Sequence, residues 1–137
     1  MKIETFDQYD QAVYNPGYPD AGRNFIFPAL GLAGEAGEFA EKMKKLWRNH
    51  NLSGLSKVAG LRGYMIESID PVKALEESRQ IEELILGGRK ELGDALWYLN
   101  SAARELGTTL QEIAQENYEK IADRRKRGVI KSEGDNR

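Results

Sequence analysis

Two pairs of acidic residues have the spacing of a cation site. Glu35 and Glu38 stand three positions apart, and Glu91 and Asp94 repeat that spacing later in the chain. Residues three apart on an α-helix lie on one face, so each pair can direct two carboxylates at one point. If the two helices pack antiparallel, the four anions converge and repel one another unless a cation lies between them. Oxygen-only donors suit a hard ion, above all Mg²⁺, which commonly also contacts a phosphate.

Glycines distinguish these pairs from the acidic pairs that are common on solvated helix faces. Gly31, Gly34 and Gly37 surround the first pair, and Gly93 lies inside the second. A glycine in a helix interior costs roughly 1 kcal/mol relative to alanine, so these positions require a reason. Close approach of two helices is one, and room for a ligand beside the carboxylates is another. The spacing is not that of a dinucleotide-binding loop or a P-loop, because no strand precedes it.

Composition excludes several other kinds of site. The absence of cysteine removes disulfides, zinc–thiolate sites and cysteine nucleophiles. A single histidine, His50, cannot form a two-histidine metal site or a histidine relay within one chain, and we expect it in a loop or at a helix end without a catalytic role. A ferritin-like di-iron centre would need Glu-x-x-His pairs, and neither Glu38 nor Asp94 is replaced by histidine here.

Charge and hydropathy limit the partners and the location. Twenty basic residues against 22 acidic ones give a net charge of −2, which argues against a dedicated nucleic-acid binder. No apolar run is long enough to span a membrane, and the first residues lack the apolar segment of a signal peptide. We therefore expect a cytoplasmic protein that does not bind membranes and is not a dedicated nucleic-acid binder.

Helical periodicity dominates the 137 residues, which correspond to one domain. The pattern predicts an all-α, four- to five-helix bundle. Capping residues, prolines and glycines set the predicted helices: from Thr5 to about Tyr14, from near Pro28 to about Asn49, from Pro71 to about Leu86 where Gly87 and Gly88 end it, from Arg89 to Leu106, and from Thr109 to about Arg127, with Gly107 and Gly128 as terminators.

Two apolar stripes predict the core faces of the longer helices. They comprise Leu32, Ala36, Phe39, Met43, Leu46 and Trp47 on the second predicted helix, and Leu92, Ala95, Leu96, Leu99, Ala103 and Leu106 on the fourth.

The segments GLAGEAGEFAEKMKKLWR and KELGDALWYL together resemble the MazG-like family of all-α nucleoside triphosphate pyrophosphohydrolases. The signature of that family is a Glu-x-x-Glu helix followed by a Glu-x-x-Asp helix. YPDAGRNFIFPAL upstream and ENYEKIADRRKRG downstream are also similar to single-domain members. Fifty-two residues separate Glu38 from Glu91, more than is usual in the family. We therefore expect one domain over 1–137, an inserted segment within 50–86 and a polar tail over 128–137.

The resemblance implies hydrolysis of a nucleoside triphosphate to the monophosphate and pyrophosphate. It implies Mg²⁺, with Mn²⁺ as a possible substitute, held by Glu35, Glu38, Glu91 and Asp94, and we favour Glu38 as the general base. It also implies a homodimer or homotetramer.

Further residues are candidates for binding the substrate. Three residues share one face of the last predicted helix: Asn117, Lys120 and Arg124. The resemblance indicates that they contact phosphate. Basic residues near a helix C-terminus are explained equally well by their favourable interaction with the helix dipole. Lys42, one turn after the first acidic pair, could reach the same site or be an ordinary salt-bridged lysine. Asn24 could bind the base or the sugar.

Alternative functions remain open at this point. The chain could be a pyrimidine-directed enzyme acting on dUTP or dCTP within the same superfamily. It could also be a non-enzymatic helical partner module that keeps acidic faces. Trp97 and Tyr98 could stack on a base, although burial in the core is the more usual role of such aromatics.

Overall fold

The structure, a computed structural model, describes residues 2–14, 24–50 and 70–128. These ranges contain four α-helices and no strand: α1 (Phe6–Val13), α2 (Ile26–His50), α3 (Pro71–Glu105) and α4 (Leu110–Lys126). The prediction of an all-α fold with four or five helices is confirmed. Much of the predicted insertion, residues 51–69, and the tail from 129 onward lie outside the described residues.

The chain divides into two compact units. The first unit comprises Met1–Ala29 and Trp97–Arg137, and therefore contains α1, α4, the start of α2 and the end of α3. Within it, α1 packs against α4. The second unit, Leu30–Leu96, contains the rest of α2 and α3.

Local capping sets the ends of α1 and α4 as the sequence predicts. The Thr5 hydroxyl accepts a hydrogen bond from the Gln8 N–H at 3.1 Å. At α4, the Thr109 hydroxyl accepts from the Glu112 N–H, and the Glu112 carboxylate accepts from the Thr109 N–H at 2.9 Å. These bonds satisfy N–H groups that have no partner within the helix. Gly107, at φ 73°, has the left-handed backbone that glycine favours at a helix end.

The glycine pair in the middle of α3 does not end a helix, contrary to prediction. The helix runs unbroken from Pro71 to Glu105. A Cβ on Gly88 would lie 2.9 Å from Met43 Cε and 3.5 Å from Phe39 Cδ2. A Cβ on Gly87 would lie 3.2 Å from Lys42 Cε. These glycines therefore permit side chains of α2 to approach α3. From the sequence alone, a glycine pair with this packing role cannot be distinguished from one that ends a helix.

The start of α2 agrees with the prediction of a start near Pro28. The helix begins at Ile26, so that Pro28 lies in its first turn, and Asn24 Oδ1 accepts a hydrogen bond from the Ile26 N–H at 2.9 Å.

The predicted core stripes are right only in part. Leu46 and Ile81 are buried in the second unit, as are Ala103 and Leu110 in the first. Five residues placed in the stripes are instead exposed. They are the small Ala36 and four larger side chains, Trp47 (63 %), Leu92 (51 %), Leu99 (37 %) and Leu106 (73 %). Periodicity shows which side chains share a helix face. It does not show whether another element covers that face.

Candidate metal centre

Three carboxylates from two helices meet in the second unit. Glu35 of α2 and Glu91 and Asp94 of α3 each offer one oxygen, and these oxygens all lie within 4.8 Å of one another. Glu35 and Glu91 are half-buried, whereas Asp94 is exposed. Two ligand oxygens of one octahedral Mg²⁺ are about 3–4 Å apart, given metal–oxygen distances of about 2.1 Å. Small side-chain movements would therefore bring the three oxygens onto a single divalent cation.

Electrostatics at Glu35 show that the cluster carries excess negative charge. Partial burial, followed by the charges of Glu38, Asp94 and Glu91, raises the pKa of the Glu35 carboxyl above its ordinary value. The neighbouring negative charges disfavour the carboxylate form of Glu35, and a bound cation would offset this repulsion. The donor set and its charge thus fit a hard divalent ion.

Glu38 stands beside this group of three. Its side chain is exposed and contributes no oxygen to the group, although its charge acts on Glu35. Of the four acids that the sequence selects, the structure gathers three and leaves the fourth adjacent. The assignments of Glu38 as a ligand and as the general base stay predictions.

Open space surrounds the glycines next to the acids. A Cβ on Gly34, Gly37 or Gly93 would meet no atom of the described residues within 4 Å. Among the described residues, no neighbouring helix therefore approaches these three glycines closely, which favours room beside the carboxylates as their role.

Lys42 contacts the acid cluster directly. Its Nζ lies 3.7 Å from Glu91 Oε1, and both side chains are largely buried, at 30 % and 14 % exposure. The nearby lysines Lys44 and Lys45 instead pair with Glu41 on a more exposed part of α2. The salt-bridged alternative for Lys42 is thus present, and its partner is one of the three clustered acids.

The other predicted substrate residues belong to the first unit. Asn117 and Lys120 are exposed on α4, and Arg124 is half-buried on the same helix. The side-chain oxygen of Asn24 caps α2, and its N–H donates to Glu105 Oε2 at 3.2 Å. Contacts of these four residues with a substrate stay predictions.

Sequence reasoning missed a polar network that fixes α1 to the end of α3. Asp10 accepts a hydrogen bond from Asn100 Nδ2 at 2.8 Å and binds the Arg104 guanidinium through both oxygens. The guanidinium also lies over the Tyr14 ring, 4.1 Å from its centroid. Burial would raise the pKa of Asp10, but the hydrogen bonds from Arg104 and Asn100 and the Arg104 charge lower it overall. The partners are ninety positions apart, so no local pattern could have revealed them.

His50 ends α2, as expected from the sequence. Its side chain is 6 % exposed, and Nδ1 lies 3.5 Å from Glu77 Oε1 without forming a hydrogen bond. None of the four described helices has the length and apolar character that crossing a bilayer requires.

Comparison with known proteins places these features in a family. The model of the MazG nucleotide pyrophosphohydrolase domain matches residues 28–129, a range that includes both acidic pairs. The chain is also similar to the Gene 37 protein of Mycobacterium phage L5, with 32 % identity over 129 residues that cover 93 % of this chain and 90 % of that protein. No solved structure matches the chain significantly. The family match spans most of the sequence, and the chain therefore belongs to the MazG nucleotide pyrophosphohydrolase family.

Proposed function

We propose that this nucleotide pyrophosphohydrolase uses Mg²⁺ to hydrolyse nucleoside triphosphates, ribo or deoxy, to the monophosphate and pyrophosphate. The observation that carries the proposal is the meeting of three carboxylate oxygens within 4.8 Å of one another, on the two helices that hold the family's acidic pairs. The overall reaction consumes one water, breaks the anhydride bond between the α- and β-phosphates and releases one proton.

Glu35, Glu91 and Asp94 would hold the cation. Carboxylate oxygens select hard ions, so Mg²⁺ is the proposed ion and Mn²⁺ a possible substitute. When bound, a divalent cation supplies positive charge that neutralises the carboxylates and the phosphate oxygens beside it. Gly34, Gly37 and Gly93 leave space beside these acids for the triphosphate.

Glu38 is suited to accept the proton of the attacking water. It is exposed and lies outside the group of three, yet close enough to act electrostatically on Glu35. A carboxylate in this position can deprotonate water without giving up a ligand of the cation. Glu38 would also serve as a fourth ligand if its side chain turned toward the group.

The remaining substrate contacts are proposed from the order of residues on the helices. Asn117, Lys120 and Arg124 follow one another at three and four positions along α4 and would bind phosphate oxygens. Asn24 would contact the sugar or the base through the amide group of its side chain. Since nucleoside triphosphates are cytoplasmic metabolites, we propose that the enzyme acts there.

A homodimer or homotetramer is the proposed assembly. Leu92 and Leu99 on α3 and Leu106, which directly follows the end of α3, are spaced by seven, and all three are exposed. Exposed leucines in such a series are typical of a helix face that another helix covers. Light scattering that detects only the mass of one chain would contradict this assembly.

A product assay over a panel of nucleotides tests the function. The purified chain is incubated with the common ribo- and deoxynucleoside triphosphates, with Mg²⁺ or with a chelator, and the products are separated by anion exchange. We expect monophosphate and pyrophosphate in equal amounts, and only with the metal. Formation of diphosphate and phosphate would contradict the proposal. Turnover of pyrimidine nucleotides alone would favour the narrower dUTP- or dCTP-directed enzyme, and no turnover by a fully helical protein would favour the partner module.

A further inference from the structure

The ammonium group of Lys42 places a positive charge of the protein beside the acid cluster. Its ammonium lies 3.7 Å from Glu91 Oε1, which is an ion pair but longer than a hydrogen bond. Glu91 is also one of the three acids whose oxygens meet within 4.8 Å. The same carboxylate is therefore shared between the lysine and any cation that the three acids hold.

Gly87 holds the lysine in this place by leaving room for it. A Cβ on Gly87 would lie 3.2 Å from Lys42 Cε, 3.6 Å from Cδ and 4.0 Å from Cγ. The aliphatic part of Lys42 thus runs along the bare backbone of α3, one helical turn before Glu91. Glycine in a helix interior costs roughly 1 kcal/mol relative to alanine, so the Gly87 that makes room for Lys42 lowers the stability of α3 at this point.

Neighbouring lysines provide the contrast. Lys44 and Lys45 lie within three positions of Lys42 but pair with Glu41, and their side chains are 55 % and 38 % exposed. Neither pairs with Glu91 among the described residues. The contact with the acid cluster is thus specific to Lys42 and does not follow from a general excess of lysine on this helix.

We propose that Lys42 is a built-in counter-ion of the metal centre, which competes with the divalent cation for Glu91 and so sets the cation affinity of the site. This inference rests on the proposed function. Removing the lysine charge strengthens the attraction of the acids for a cation. It also increases the repulsion between the acids and an anionic triphosphate. Lys42 is therefore a positioning residue with opposite effects on the two ligands, and a role in folding alone would not produce that combination.

The test measures cation binding directly, with matched variants. Mn²⁺ is titrated calorimetrically into the metal-free wild type, Lys42→Met and Lys45→Met. Methionine keeps the aliphatic packing over Gly87 in the first variant, and the second removes one charge from the same helix without touching the cluster. We expect Lys42→Met to bind Mn²⁺ about tenfold more tightly, an effect that shrinks at high salt, because the lost charge is close to the ligands and only partly screened. Lys45→Met should stay within about twofold of the wild type, since its charge is on an exposed pair.

Two further measurements separate this role from a structural one. At saturating Mg²⁺, Lys42→Met should raise KM for the triphosphate, while its cation affinity rises instead of falling. Gly87→Ala, which displaces the lysine without removing its charge, should also tighten Mn²⁺ binding.

Two results would overturn the inference. One is Mn²⁺ binding by Lys42→Met that equals that of Lys45→Met or is weaker, while the wild type binds the ion. The other is a wild type that binds no Mn²⁺ at all, which would refute the proposed function and the inference together. If Lys42→Met does not fold, Lys42→Gln tests the same loss of charge.

Discussion

Gly93 offers a test of whether the space beside the acids is open. It lies inside α3 between Glu91 and Asp94, and a Cβ there would meet no atom of the described residues within 4 Å. Gly93→Ala should therefore gain the full difference in helix propensity, roughly 1 kcal/mol. For a domain of this length, that gain raises Tm by about 3–5 °C.

Gly88→Ala is the matched control, because it lies on the same helix and has the opposite surroundings. Its Cβ would be 2.9 Å from Met43 Cε and 3.5 Å from the Phe39 ring. Displacing these side chains offsets the gain in helix propensity, so the rise in stability should be smaller or reversed. Urea unfolding of the metal-free proteins, followed by circular dichroism, measures both changes.

The reasoning also predicts a loss of function for the stabilised variant. If the space beside Gly93 receives the triphosphate, Gly93→Ala should raise KM although the fold is more stable. A gain in stability on Gly93→Ala that is no larger than the change on Gly88→Ala would refute the reasoning, because it would mean that the position is already filled.

Other variants test the roles of single side chains. Asp10→Ala should cost about 2–3 kcal/mol in urea unfolding, because it leaves the buried Asn100 amide without its acceptor, whereas Asp10→Asn keeps an acceptor oxygen and should cost about 1 kcal/mol. Since the folded pKa of Asp10 lies below its ordinary value of 3.8, its ionic contribution is complete above that value and is lost as the pH falls through the folded pKa. The stability difference between wild type and Asp10→Asn should therefore shrink in acid, and a constant difference would contradict the ion pair with Arg104. Glu38→Gln should lower turnover at least about a hundredfold with unchanged helicity, as expected for an exposed general base, and loss of helicity would instead indicate a structural role. Asp94→Asn should raise the Mg²⁺ concentration needed for half-maximal turnover, and an unchanged requirement would remove Asp94 from the ligand set.

The parts of the fold that depend on nearby residues could be predicted from the sequence. The Thr5 cap and the Thr109 capping box act within three positions, so their residue types suffice to place the starts of α1 and α4. Gly88 shows the limit of such reasoning. It was assigned to a helix end, but its role depends on Met43, which is forty-five positions away in the sequence.

In the candidate site too, features that depend on nearby residues could be predicted, and features that depend on distant residues could not. The spacing of the second acidic pair is local, so the sequence could place Glu91 and Asp94 on one helix face. Their meeting with Glu35 depends on how α2 and α3 pack, which the sequence analysis could only assume. The pairing of Lys42 with Glu91 depends on how α2 and α3 align, which spacing alone does not specify. The exposure of Leu92 was missed for a related reason, because periodicity does not show whether a helix face is covered.

The central claim is that the three-carboxylate cluster binds the cation that hydrolysis requires. The most direct measurement is pyrophosphate formation against Mg²⁺ concentration for two matched variants, Glu91→Gln and Glu41→Gln. Both remove one carboxylate from the same unit, but Glu91 belongs to the cluster and Glu41 pairs with lysines outside it. We predict that Glu91→Gln loses Mg²⁺-dependent pyrophosphate release, whereas Glu41→Gln keeps it. A Glu91→Gln enzyme that retains the turnover and the Mg²⁺ dependence of the wild type would contradict the claim.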